Sequence, residues 1–118
     1  MNTAARELVT PFAYYFSGNF TNKRLRQVCT VIPLESDTPF RLRGIQVITN
    51  VKEVSLLLDL FSGPFRVFDG NVLPVVPEFT YEAGGSIKFT LSLHEGVNLG
   101  RKRPRFVVQF LGVKVYRQ

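Results

Sequence analysis

The 118-residue sequence contains no tryptophan, one cysteine and one histidine, and these absences limit the chemistry that it can carry. A single cysteine, Cys29, excludes an internal disulfide, and a lone cysteine in an apolar stretch is usually a small buried hydrophobe. One histidine, His94, and one cysteine do not make a metal site. No nucleophile or orienting group is recognisable beside His94. The sequence therefore predicts a protein that is not an enzyme and has no cofactor.

Long apolar runs are also missing. No stretch of about 18 apolar residues occurs, which excludes a helical membrane span. The N-terminal residues carry Arg6 and Glu7 ahead of a short aromatic run, and they lack the continuous apolar segment of a signal peptide. We therefore expect synthesis and folding in a cytoplasm, and the scarcity of cysteine gives no sign of an oxidising compartment.

The chain is rich in phenylalanine, with eleven Phe and four Tyr, and both residue types favour strands. Its clearest pattern is residues 86–94, where Ile87, Phe89, Leu91 and Leu93 share one side and polar residues share the other. This alternation predicts an antiparallel strand with one buried and one solvated face.

Two glycines coincide with a change of side-chain phase inside predicted strands. In residues 40–47 the apolar positions are even-numbered before Gly44 and odd-numbered after it. Residues 106–115 show the same change across Gly112. One extra residue is needed if both halves of a strand are to face the same core. The sequence therefore predicts a β-bulge or sharp bend at each glycine.

The remaining segments also favour strands. Strands or extended segments are predicted over 12–16, 25–34, 40–49, 54–61, 65–68, 72–79, 86–94 and 105–116. Residues 54–61 are ambiguous between helix and strand, and we assign a strand because Ser62-Gly63-Pro64 ends the segment. A short helical turn is predicted over Thr3–Val9, stopped by Pro11.

Seven or eight short strands with frequent turns predict an all-β fold, an antiparallel, jelly-roll-like β-sandwich with glycine bulges and little or no helix. We divide the chain into an N-terminal arm or extra strand, 1–22, and a single sandwich domain, 23–118.

An aromatic segment lies near the N-terminus. Phe12, Tyr14, Tyr15 and Phe16 follow Pro11 and precede a Ser-Gly-Asn turn signal. One interpretation is a strand of the domain's own sheet. The other is an arm that lies on a neighbouring subunit, with these four aromatic side chains as partner-binding residues.

The formal net charge is +6, and its sharpest local source is a basic run. Arg101, Lys102, Arg103 and Arg105 place four cations within five residues, and such a run must be exposed because unpaired buried charge is prohibitive. The run is a solvated loop, a docking site for an acidic protein surface, or a phosphate contact. The polar side of residues 86–94 offers no aromatic ring for base stacking, which weighs against nucleic acid.

Several segments of the sequence resemble those of a known class of protein. They are DTPFRLRGI over 37–45, the segment 70–77, FTYEAGGSIKFTL over 79–91 and FVVQFLGVKVY over 106–116. In their order, they resemble the small β-sandwich structural proteins of tailed-bacteriophage virions, including capsid decoration and connector-region proteins. The resemblance covers residues 25–118 and assigns no role to any residue.

The resemblance implies a non-enzymatic assembly protein that is made in the host cytoplasm and located in the virion. Its partners would be other virion proteins, such as capsid or tail subunits, and it would form a symmetric homo-oligomer. The alternative is a stand-alone basic module that binds nucleic acid or carbohydrate, because sandwich folds serve many functions.

Overall fold

Eight antiparallel strands form two four-stranded sheets in a computed structural model of the chain, which describes residues 7–20, 27–61, 63–69, 75–94 and 103–117. The strands are β1 (Glu7–Asn19), β2 (Gln27–Pro33), β3 (Phe40–Thr49), β4 (Val54–Leu60), β5 (Gly63–Asp69), β6 (Phe79–Tyr81), β7 (Ser86–Leu93) and β8 (Arg105–Arg117). These ranges contain no helix. The predicted all-β class is confirmed.

The strand order is that of a jelly roll. The first sheet has the order β1-β8-β3-β6 and the second has the order β2-β7-β4-β5. Among consecutive strands, β4 and β5 pair as a hairpin, and every other connection crosses from one sheet to the other. Two interlocked Greek keys of this kind confirm the predicted sandwich. Phe16 of β1 and Phe110 of β8 both pack against Phe89 of β7, at 6.1 and 5.1 Å between ring centroids. The β1 side of the first sheet therefore lies over the β2 side of the second.

The core lies between the sheets and is built from alternating side chains. The predicted alternation in β7 is confirmed, because its four apolar residues are each at most 6% exposed. Phe40, Phe106 and Phe110 are the largest fully buried side chains of the first sheet. Burying a phenylalanine is worth about 1.5–3 kcal/mol, so these aromatic residues supply much of the stability of a small domain.

The predicted bulge at Gly44 is confirmed. The pairing of β3 with β8 shifts between Leu42 and Gly44, so Arg43 is the extra residue. Side chains on both halves of β3 therefore reach the same core despite the change of phase. A second bulge, which the sequence did not reveal, lies in β5, where the pairing with β4 shifts between Leu56 and Leu57.

The predicted bulge at Gly112 is wrong. β8 keeps an unbroken register with β1 on both sides of Gly112. A Cβ atom at this position would overlap the carbonyl oxygen of Arg41 and lie 2.7 Å from the ring of Phe40. The glycine is required because β8 passes very close to the bulged strand β3.

Without a bulge in β8, the side chains keep their phase beyond Gly112. Lys114 is 8% exposed and lies on the same side of β8 as Phe106 and Phe110. Val113 is half-buried, and Val115 is buried although it lies on the opposite side of β8 from Lys114. A buried cation near the end of β8 is therefore a feature that the apolar pattern did not predict.

Two other predictions concern the strand ends. Glu7–Val9 belong to β1, so the predicted helical turn is wrong over these residues, and its first part lies outside the described residues. β1 continues through Pro11 because it is an edge strand, where a missing N–H need not break the ladder. The strand assignment of 54–61 is confirmed by β4. Of the predicted segment 72–79, residues 75–78 are irregular chain ahead of the short edge strand β6, and 72–74 lie outside the described residues.

Tyr81 has a buried hydroxyl that makes no hydrogen bond to any described residue. Burial raises the pKa of Tyr81 from 10.0 to about 12. Folding thus favours the protonated phenol. The stability that comes from keeping Tyr81 protonated is fully present below pH 10 and is lost as the pH rises toward 12. We expect Tyr81→Phe to reduce the alkaline loss of stability. We also expect it to raise the free energy of unfolding at neutral pH by about 1 kcal/mol, because an unpartnered polar group is deleted.

Urea unfolding at pH 7 to 11.5 measures both effects. Tyr15→Phe is the matched control, because the Tyr15 side chain is exposed. If the free energy of unfolding of Tyr81→Phe falls with rising pH as steeply as that of the wild type, the alkaline loss of stability does not come from Tyr81.

Candidate partner interface

β1 divides the four aromatic residues of the N-terminal segment between its two faces. Phe12, Tyr14 and Phe16 are half-buried and pack against the core. Tyr14 lies 5.0 Å from Phe40 between ring centroids, in an edge-to-face arrangement. Because β1 pairs with β8 along its whole length, the segment is a strand of the domain's own sheet.

Tyr15 is placed differently from its three aromatic neighbours. It points away from the core and its side chain is 68% exposed. In the sheet it lies beside Gln109 of β8, which in turn lies beside Gln46 of β3. Of the four aromatic residues predicted to bind a partner, Tyr15 is the one that is available for this role.

Tyr15 belongs to an apolar surface on the side of the first sheet that faces away from the core, which we call the outer face. Ile48 on β3 is 50% exposed and Leu111 on β8 is 39% exposed. The strand register places Val107 beside Ile48 and Ala13 beside Leu111. The outer face therefore carries apolar side chains from β1, β8 and β3, and the row that contains Tyr15 continues with the polar residues Gln109 and Gln46. Sequence reasoning missed it because the apolar outward residues lie on three separate strands.

Arginine side chains border the outer face. Arg43, the extra residue of the bulge, is exposed at one end, and Arg103 and Arg105 are exposed at the other. Arg41 points to the same side and donates to both carboxylate oxygens of Glu7, at 3.3 Å each. A surface with exposed apolar side chains and a basic border matches a protein surface that has apolar side chains and an acidic border.

Arg103 and Arg105 are the described residues of the basic run, and hydrogen bonds fix their backbone at the start of β8. The Asn50 side chain donates to the carbonyl oxygen of Arg103 at 3.0 Å and accepts from the backbone N–H of Arg105 at 2.8 Å. Thr49 donates its hydroxyl to the carbonyl oxygen of Arg105 at 2.8 Å. These bonds fix the backbone and leave both guanidinium groups exposed. Arg101 and Lys102 lie outside the described residues.

An open groove of about 660 Å³ lies beside these arginines. It is lined by the ends of β1 and β3 and the start of β8, including Asn19, Ile48 and Arg105. The Asn50 amide and the Thr49 hydroxyl at its border are already engaged by backbone groups. The groove is thus a continuation of the outer face rather than an enclosed pocket.

Lys114 is held by an internal ion pair at the other end of β8. Its Nζ lies 2.6 Å from Oε1 of Glu35 and 3.7 Å from the centre of the Phe12 ring. The hydrogen bond with Glu35 raises the pKa of Lys114. Burial, followed by the charge of Glu35, raises the pKa of Tyr14. The cluster is therefore a fixed contact that ties the loop before β3 to β1 and β8.

His94 has a partner that the sequence did not suggest. Its Nε2 lies 2.6 Å from Oδ1 of Asp69, and Arg66 approaches the other oxygen of Asp69 at 3.6 Å. Its backbone N–H donates to the carbonyl oxygen of Glu53 at 2.8 Å. Because β5 and β7 both run antiparallel to β4, their last residues lie near the start of β4. The pair joins two strand ends, and the described residues contain no group of three or more potential metal ligands.

Comparison with protein-family models, curated proteins and solved structures finds no match for this chain. Within the described ranges, no helix is long and apolar enough to cross a membrane. The geometry of the outer face and of the strand edges is therefore the basis for assigning a function.

Proposed function

We propose that the protein is a non-enzymatic structural protein of a tailed-bacteriophage virion and acts in capsid decoration or in head and tail assembly. The observation that carries the proposal is the outer face, where exposed apolar side chains from three strands share one side of the sheet. Contiguous exposed apolar surfaces mark sites of protein interaction. The jelly-roll order supports the proposal at the level of fold, since it recurs in viral capsid proteins and also in other classes.

The outer face provides both affinity and orientation. Burial of Tyr15, Ile48 and Leu111 against a partner gains about 25 cal/mol for each square ångström of apolar surface removed from water. The bordering arginines contribute mainly to the rate of encounter and to register, because exposed ion pairs add little net affinity. The partners in this proposal are other virion proteins, such as capsid or tail subunits, and the proposed location is the virion.

Substitutions on the outer face test the proposal. We expect the double variant Ile48→Ser and Leu111→Ser to reduce incorporation into purified phage particles at least about tenfold, because it removes exposed apolar contact area without opening the core. Co-sedimentation with particles, quantified by immunoblot, measures the effect. Phe61→Ser is the matched control, since Phe61 is fully exposed at the turn between β4 and β5. Normal incorporation of the double variant, or absence of the wild-type protein from particles, would contradict the proposal.

A second candidate is a basic module that binds nucleic acid or carbohydrate. The observation in its favour is the open groove beside Arg105, with Asn19 and Ser17 on its border. The purified protein distinguishes the two functions, since its own absorbance at 280 nm is weak without tryptophan. Absorbance at 260 nm that is lost at high salt would favour a nucleic-acid module, because phosphate contacts are salt-sensitive.

A further inference from the structure

The two flanks of the sandwich differ in how their strand edges are protected. One flank, the β5–β6 flank, ends in β6 of the first sheet and β5 of the second. The other, the β1–β2 flank, ends in β1 and β2. An unprotected strand edge pairs readily with another chain, so natural proteins shorten edges or place proline, charge or a bulge on them.

The β5–β6 flank carries all of these protections. β6 is only three residues long. β5 contains Pro64, the exposed charge of Arg66 and the bulge against β4. The backbone N–H of Val75 also bonds to the carbonyl oxygen of Val67 at 2.8 Å, so the chain after β5 covers part of that edge. This flank is closed to further pairing.

The β1–β2 flank carries fewer of them. β1 contains Pro11 and β2 ends in Pro33, but the pairing of each strand shows no bulge. β1 is 13 residues long, and its one charged residue is Glu7, which is engaged by Arg41. β2 has seven residues and no charged side chain. No described segment pairs with the outer edge of either strand. A long, uncharged edge on one side of a molecule whose other side is protected indicates an interface.

Pro11 identifies which backbone groups of β1 point outward. A proline within a strand is tolerated where its nitrogen faces the open edge, so Pro11 and the residues that alternate with it direct their backbone groups away from β8. Beyond Pro11, the outward-facing amides belong to Ala13, Tyr15, Ser17 and Asn19. Residues 13–19 thus form a proline-free edge with an uninterrupted set of donors and acceptors.

We propose that the 13–19 edge of β1 pairs antiparallel with the same edge of a second copy, across a twofold axis. A twofold contact requires a surface that is complementary to itself. An antiparallel strand edge without charge meets this requirement, because each donor faces an acceptor of the other copy and no like charges are opposed. The inference goes beyond the proposed function and does not depend on a location in the virion.

The 13–19 edge is long enough for a weak dimer. At roughly 3.3 Å per residue, this edge is about 23 Å long, and the second sheet lies about 10 Å away. A contact of these dimensions buries on the order of 500 Å² in total, which is in the range of weak interfaces. A symmetric dimer would join the two first sheets into one continuous sheet of eight strands.

Light scattering over about 10 to 200 µM tests the proposal. The chain mass is 13.4 kDa, and we expect the wild-type protein to reach twice this value. Ser17→Pro deletes one outward donor from each copy without removing a bond to β8, so we expect dimerisation to weaken by roughly 10- to 100-fold. Ser17→Ala keeps the N–H and is expected to dimerise like the wild type.

A second pair of variants covers the case in which Ser17→Pro does not fold. Ala13→Lys places a charge on the exposed edge of β1 and is expected to dissociate the dimer. Thr80→Lys makes a similar change on β6 of the opposite flank and is expected to leave the dimer intact. Hydrogen exchange adds a direct measurement, since the amides of Ala13, Tyr15 and Ser17 should be protected in the wild-type dimer and exposed in Ala13→Lys.

A wild-type protein that stays at 13.4 kDa throughout this range would overturn the inference. So would a dimer that survives both Ser17→Pro and Ala13→Lys in folded form. The result is separable from the test of the outer face, because Ser17→Pro removes a backbone donor at the edge of β1, whereas the outer-face variants change the side chains of Ile48 and Leu111 on β3 and β8.

Discussion

Replacing Gly112 with alanine is expected to lower the free energy of unfolding by about 3 kcal/mol or more. The added methyl group would overlap the carbonyl oxygen of Arg41 and come within 2.7 Å of the fully buried Phe40 ring. Neither neighbour can move freely, because one is backbone at a bulge and the other is packed in the core. Overpacking of this kind forces strand β8 away from β3. Thermal unfolding should show a melting temperature lower by roughly 10–20 °C.

Gly44 provides a matched control on the neighbouring strand. A Cβ atom there would meet only the Leu111 side chain, at 3.6 Å, which is ordinary van der Waals contact. Gly44→Ala is therefore expected to change stability by less than about 1 kcal/mol. Equal melting temperatures for the two alanine variants would show that the close approach of β3 and β8 has been misassigned.

The second large effect is expected at Phe110. Its side chain is fully buried on β8, and its ring centroid lies 5.1 Å from that of Phe89 on the opposite sheet. Phe110→Ala removes an aromatic contact between the sheets and leaves a cavity that strands cannot close without breaking their ladders. We expect a loss of about 3–5 kcal/mol, measured as a lower urea midpoint at an unchanged slope.

Phe61→Ala is the corresponding control, because Phe61 is fully exposed and touches no part of the core. Its expected change is within about 0.5 kcal/mol. A loss at Phe110 no larger than the loss at Phe61 would mean that the two sheets do not pack through β7 and β8 as described.

The strands were the part of the fold most accessible from the sequence. Their alternation and their bounding glycines and prolines are local features, and β3, β4 and β7 were placed to within one residue. The phase change at Gly44 also has a local cause, the extra residue Arg43. Gly112 produced the same pattern for a different reason, since the approach of a neighbouring strand is a tertiary contact. Hydrophobic periodicity cannot distinguish these two causes.

The candidate interface was harder to predict from the sequence, for a similar reason. Tyr15 was among the predicted contact residues, but the aromatic residues on either side of it proved to face the core. In the sequence, Ile48 and Leu111 have the pattern of ordinary strand residues. The register between the strands is what shows that they share a surface. The partnership of His94 with Asp69 likewise depends on two strand ends that are 25 residues apart in sequence.

The position of β8 in the first sheet has a consequence for biosynthesis. β8 is the last of the described strands to be translated, yet it lies between β1 and β3. At about 5–20 residues per second, the ribosome needs roughly 5–20 s after completing β1 to deliver β8. During that interval the nascent chain holds two long strands without their shared neighbour, one of them apolar and nearly uncharged. The unfinished chain is thus exposed to aggregation before the first sheet can form, a risk that is separate from the stability of the finished fold.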